Sequence, residues 1–174
     1  KMPVRMSLIM KELVLNREDL RSSLQLLRKD YEIFGPKLQP GGGRLSDTDV
    51  TDYAPLEDFD ELCWDYKTTF SPKEFFLPVT EELMIFDGNS VAPSHPSTTP
   101  RALFLRPCDT HALKRMDAHF LKGLKDTNYE MRRANTILFV MECTQSWDSC
   151  FCKTMGTETP HEPDLLIRKL DEEK

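Results

Sequence analysis

The residues with the strongest chemical signature are five cysteines: Cys63, Cys108, Cys143, Cys150 and Cys152. Their number is odd and no export signal is read at the start of the chain, which argues against a disulfide scaffold. In a reducing compartment such as the cytoplasm, clustered cysteines point to metal or redox chemistry. Cys108 stands alone, and Cys143, Cys150 and Cys152 form a looped trio. Four thiolates suit two occupants, a tetrahedral zinc or an iron–sulfur cluster. The paired C-x-x-C knuckles usual for zinc do not occur here, and irregular spacing suits the larger volume of a four-iron cluster. Spacing alone leaves the two nearly level. Cys63, beside Trp64, stands apart from the set and reads as a core or surface thiol.

The neighbours of these cysteines fit an anionic metal site. Arg106, Lys114, Arg115 and Lys153 could offset the charge of ligating thiolates, and Trp147, Phe151 and Met155 could shield them from water. Asp109 could ligate iron, but capping a helix is the more ordinary role for an acid at that place. His111 follows Cys108 by three positions, so a Cys–His nucleophile pair, and with it a thiol-dependent enzyme, is conceivable. On a first helical turn His111 reads instead as a surface residue. His119 falls on the polar side of the same helix, and Arg132-Arg133 reads as a solvated or ion-paired helix end.

The elements that must position these groups are legible in part. Ala102 to Leu105 and Ile137 to Met141 are short continuous apolar runs, as expected of buried strands. Between them, Leu113, Met116 and Phe120 share one helical face, with Asp109 or Thr110 as its cap, and Thr127 to Arg133 reads as a short charged helix. Strand, helix, strand is a βαβ unit. With parallel strands about 4.8 Å apart, Cys108 and Cys143 leave the sheet at one carboxyl edge, where open α/β sheets place ligands. Leu165 to Ile167 is a candidate last strand, before a charged end from Asp171 to Lys174.

The first half is less regular. Asn16 is a helix cap, with Leu20, Leu24, Leu27 and Tyr31 on one face and Gly35-Pro36 as the stop. Pro40 to Gly43 is a turn. Residues 46 to 65 are strongly acidic and read as a solvated loop and helix, or as a docking face for a basic partner. Ser71-Pro72 with Glu74 reads as a helix start, Glu82 to Asp87 as a strand, and 89 to 100 as a connecting loop. The whole reads as a single α/β domain over residues 1 to 174, with a small mixed or parallel sheet, flanking helices and an irregular N-terminal half.

Composition excludes several classes. The 174 residues are 39% hydrophobic and 30% charged, which is globular rather than disordered. No apolar run approaches the roughly 20 residues that span a bilayer, so no membrane partner is expected. Net charge is -6, against a nucleic-acid partner. Lys1 to Leu15 has basic and apolar residues but no small-residue cleavage site, so it is not read as a signal peptide.

Several segments are specific enough to carry a resemblance. They are Arg44 to Asp49, Phe70 to Glu74, Phe104-Leu105-Arg106-Pro107-Cys108-Asp109, Ala112 to Asp117, Glu142-Cys143-Thr144, Trp147-Asp148-Ser149-Cys150-Phe151-Cys152 and Met155-Gly156-Thr157. Across most of residues 17 to 168 the chain resembles the N-terminal part of the anaerobic sulfite reductase A-subunit family, which is related to the β subunits of sulfhydrogenases. The resemblance implies a cytoplasmic iron–sulfur subunit that is not catalytic alone. It implies relay of electrons from a flavin- and NAD(P)H-binding subunit to a sirohaem subunit that reduces sulfite to sulfide. Carried over by position, Cys108, Cys143, Cys150 and Cys152 would ligate a 4Fe-4S cluster; Arg106, Asp109, Trp147 and Lys153, from their places in the sequence next to these cysteines, are candidates to surround it. Family members continue into a ferredoxin-like half with C-x-x-C-x-x-C-x-x-x-C-P runs. This sequence contains no such run and no sirohaem ligand set, so it is expected to be a fragment of the full subunit or a truncated relative.

Overall fold

The computed structural model describes residues 12–97 and 99–170. The basic, apolar start up to residue 11 and the charged end from Asp171 lie outside the described residues.

Helix α1 spans Arg17–Leu27. Asn16 Oδ1 accepts the Asp19 N–H at 2.8 Å, the expected cap, and Glu18 and Asp19 sit favourably at the positive helix end. The helix does not run on to Gly35-Pro36. It stops at Leu27, and Glu32–Gln39 forms strand β1, which pairs antiparallel with β2, Val50–Pro55. Pro36 is tolerated because β1 pairs with its other neighbour only through Glu32, Ile33 and Phe34. At Pro36 the missing N–H costs no ladder bond on that side, and its carbonyl accepts the Cys63 N–H at 2.7 Å. Gly35 is required by close approach: a Cβ there would stand 2.8 Å from both Leu56 Cδ1 and Leu62 Cδ1. The acidic stretch therefore contains a strand rather than only loop and helix.

Ser71-Pro72 opens a 3-10 turn, Pro72–Phe75, in which the Ser71 side chain makes no capping bond. The expected strand near 82 to 87 is β3, Met84–Phe86. It pairs with β4, Val91–Pro93, inside the stretch expected to be only a loop. This small hairpin is exposed along its length. Then come β5, Arg101–Leu105, α2, Pro107–Phe120, α3, Thr127–Ala134, and β6, Thr136–Met141. A short helix α4, Cys152–Met155, and β7, Leu165–Ile167, complete the elements.

The main sheet has the order β2-β1-β5-β6-β7. It is mixed: β1–β2 is antiparallel, and β1–β5, β5–β6 and β6–β7 are parallel. Strand β5 is buried on both faces, which explains its unbroken apolar run. Leu103 and Leu105 pack with Leu113 and Met116 of α2, Tyr129 of α3, and Phe76. Ala102 and Phe104 face the other way, towards Leu24 of α1, Leu56 and Leu62. Each fully buried Leu or Phe contributes roughly 1.5–3 kcal/mol.

The acidic stretch is largely answered within the chain. Asp58 and Asp60 pair with Arg21, and Asp60 also with Arg17. Glu57 pairs with Arg28, and Glu61 with Lys37 at 2.7 Å. These carboxylates fasten α1 and β1 to the following loop. Among the described residues no helix is long and apolar enough to cross a membrane.

Candidate metal centre

The register of β5 and β6 sets the site. Leu105 pairs with Val140, and each is followed three residues later by a cysteine, Cys108 and Cys143. Both chains therefore leave the sheet at its carboxyl edge. Cys108 sits in the first turn of α2, whose N-cap is Arg106 with Pro107 as the first helical residue. Asp109 and Thr110 lie inside the helix and not at its cap. Proline pre-sets the first helical φ and has no N–H to leave orphaned, which moves the cap three or four residues upstream of the expected one. Asp109 still serves the end of the helix: its Oδ2 accepts the Arg106 N–H at 3.2 Å.

The segment after Cys143 folds back on itself. The Trp147 carbonyl accepts the Cys150 N–H at 2.8 Å, and the Cys152 carbonyl accepts the Thr157 N–H at 2.9 Å. Gly156 closes α4 with φ 63, in the left-handed region that glycine enters without strain.

The thiols are free, with Cys143 exposed and Cys108, Cys150 and Cys152 half-buried. Burial, the Asp109 carboxylate, and the Cys152 and Cys143 sulfurs push the Cys108 thiol up to about 12. Cys143 is also raised, first by loss of water around it and then by Cys152 and Cys150, against the opposing pull of Arg106. Each of the four cysteines is thus within electrostatic reach of another member of the set. Among the described residues, no group of three or more His, Cys, Asp or Glu side chains is drawn in to hold a single metal ion.

One wall of the site was invisible in the sequence. The Arg106 guanidinium is buried, with 5% of the residue exposed. Its Nη2 donates to the carbonyls of Trp64 at 2.6 Å, and of Cys63 and Tyr66 at 3.3 Å. Its Cζ lies 5.3 Å from the centre of the Trp147 ring. The 63–67 loop is tied to the cysteine loop twice more. Gln145 Nε2 donates to the Asp65 carbonyl and Lys67 Nζ to Ser149 Oγ, each at 3.0 Å. No local motif marks residues 63–67; the only signal was Cys63-Trp64 itself. The Cys63 sulfur lies 3.9 Å from Thr51 Oγ1, while its carbonyl serves Arg106.

The other expected neighbours divide. Asp109 is engaged by the Arg106 N–H and by the Tyr53 hydroxyl at 3.2 Å, and burial raises its pKa. Trp147 is half-buried against Arg106, but Phe151 is 69% and Met155 50% exposed, so these two do not shield the site. Lys114, Arg115 and Lys153 are exposed. His111 Nε2 is 2.8 Å from the Thr159 carbonyl, with its ring 5.9 Å from that of His161, and so faces the C-terminal loop. Arg133 pairs with Asp117 and Arg132 with Glu81, the ion-paired helix end that was expected.

Four soft sulfur donors suit a thiolate-ligated metal group. Arg106 makes the stronger test. Its Nε and Nη1 are buried without a hydrogen-bond partner, and buried donors are nearly always satisfied. A buried cationic group with two spare donors, within reach of the Cys143 sulfur, fits a bound group of net negative charge.

Compared with known proteins, the chain is similar to sulfhydrogenase 2 subunit beta of Pyrococcus furiosus. The two are 29% identical over 107 residues, 61% of this chain and 32% of that protein. The chain thus spans about a third of the length of the curated relative it matches. No family model and no solved structure matches. The likeness agrees with the expected relation to sulfhydrogenase β subunits and does not reach the sulfite reductases themselves.

Proposed function

We propose that this chain is an iron–sulfur, electron-transfer subunit of a multi-subunit oxidoreductase. The cluster is a 4Fe-4S cluster on Cys108, Cys143, Cys150 and Cys152. The enzyme is an anaerobic sulfite reductase of the cytoplasm, in which the chain relays electrons from a flavin- and NAD(P)H-binding subunit to a sirohaem, sulfite-reducing subunit. The observation that carries the reading is the equal offset of Cys108 and Cys143 beyond the paired Leu105 and Val140. Likeness to a sulfhydrogenase subunit supports the wider class, an oxidoreductase with several subunits.

A bound cluster supplies one-electron transfer without acid–base chemistry at the protein. The chain's own residues do the rest. Arg106 brings positive charge to the thiols, Trp147 covers that guanidinium, and the Tyr53–Asp109 hydrogen bond steadies the first turn of α2 that carries Cys108.

Anaerobically purified protein tests this. Iron and acid-labile sulfide near four of each per chain, with a broad band at about 400 nm, are the expected result. One tightly held zinc and no sulfide would replace the cluster with a structural zinc module. Reoxidation of the dithionite-reduced chain by a sirohaem sulfite-reducing subunit is expected; its failure removes sulfite reduction and leaves the wider class.

A further inference from the structure

Arg106 is the only residue of the site that is charged, buried and incompletely partnered among the described residues. The hydrogen-bond acceptors of its guanidinium are all neutral carbonyls, and all are met by one nitrogen, Nη2. Arginine does not lose its proton in proteins. A buried cation is costly unless it is fully paired; the Asp109 carboxylate is within electrostatic reach of Arg106 but takes no hydrogen bond from the guanidinium, whose Nε and Nη1 stay without a partner. The three carbonyls and the Trp147 ring fix the guanidinium plane. Lys114, Arg115 and Lys153 are exposed, where water and salt screen their charge.

We propose that Arg106 sets the reduction potential of the thiolate-ligated group, through a fixed buried charge whose Nε–H and Nη1–H are kept for sulfur acceptors of that group. This rests on the reading of the chain as an iron–sulfur subunit. A positive charge held next to the cluster favours the reduced, more negative form, so the potential is higher with Arg106 than without it. The exposed cations have little part in this, and Arg106 is a positioning and tuning residue rather than a ligand.

The test is a redox titration of the full chain, followed by visible and electron paramagnetic resonance spectra, for wild type, Arg106→Gln, Arg106→Lys and Lys122→Gln. Arg106→Gln is expected to shift the reduced-to-oxidised ratio at a given potential at least tenfold towards oxidised, about 59 mV lower for a one-electron couple. Arg106→Lys retains charge and is expected to recover more than half of that shift. Lys122→Gln, at an exposed site just beyond α2, is expected to stay within about twofold of wild type. If Arg106→Gln holds its cluster at the wild-type potential, the inference is wrong. If Arg106→Gln loses its cluster while Arg106→Lys retains one near the wild-type potential, the charge requirement stands. Cluster loss in both variants makes Arg106 a loop clamp and overturns the tuning role. A wild-type chain that takes up no iron and sulfide instead defeats the underlying functional reading, which keeps the two failures apart.

Discussion

The Tyr53 hydroxyl donates to Asp109 Oδ2 at 3.2 Å, joining β2 to the residue that follows Cys108. The contact is half-buried, and loss of water around it, then the Asp109 charge, holds the Tyr53 phenol well above its usual range. With the Arg106 N–H on the same oxygen, it sets how α2 starts. Tyr53→Phe removes one hydrogen bond and no ring. It is expected to lower the unfolding free energy by about 1 kcal/mol, read from urea denaturation, with far-ultraviolet circular dichroism unchanged.

The fifth cysteine separates the candidate site from a general thiol effect. The Cys63 sulfur lies against Thr51 Oγ1 at 3.9 Å, whereas the Cys152 sulfur is within electrostatic reach of both Cys108 and Cys143. Cys63→Ala is expected to retain iron and labile sulfide at the wild-type level. Cys152→Ala is expected to lose most of both. Equal loss in the two variants would remove Cys152 from any special place.

Gly35 provides a packing test. A Cβ would press on Leu56, Leu62 and, at 3.1 Å, Phe104 Cβ, in a core cluster whose members are 5% exposed or less. Overpacking of this kind costs roughly 1–3 kcal/mol. Gly35→Ala is expected to lower the denaturation midpoint accordingly, and an unchanged midpoint would show that this core yields.

Alkaline stability has an identifiable source. The Tyr129 ring is fully buried, its hydroxyl donates to Asp117 Oδ1 at 2.6 Å, and Asp117 Oδ2 accepts from Arg133. Burial, then Asp117, raises the phenol above its usual value near 10. A pKa higher in the folded than in the unfolded chain means the fold favours the neutral phenol. Its contribution is whole below about pH 10 and falls as pH rises towards the folded value. The urea midpoint is therefore expected to drop above pH 10, and Tyr129→Phe to show a shallower drop from a lower neutral-pH value.

Local pattern was sufficient for the strand–helix–strand segment of the second half, apart from where α2 begins. Ala102 to Leu105 and Ile137 to Met141 are apolar on both faces of a strand, and Leu113 and Met116 repeat at helical spacing, so β5, α2 and β6 and their parallel order were legible. So was the placement of Cys108 and Cys143 at one sheet edge, since that follows from strand direction alone. The N-cap of α1 at Asn16 was equally local.

What the sequence by itself determined is the set of soft donors and the βαβ frame under them. Tertiary structure decided the rest. Glu32–Gln39 carries Gly35 and Pro36, a helix-stop pattern, yet becomes a strand because pairing with β2 and burial against Leu56 and Leu62 outweigh local propensity. The 63–67 loop becomes a wall of the site through hydrogen bonds to Arg106, Gln145 and Lys67–Ser149 that bridge about 40 to 80 positions. Arg106 reads in sequence as one basic residue among several. Only folding buries it and leaves two of its nitrogens without partners, because burial and hydrogen-bond satisfaction depend on neighbours that are distant in the chain.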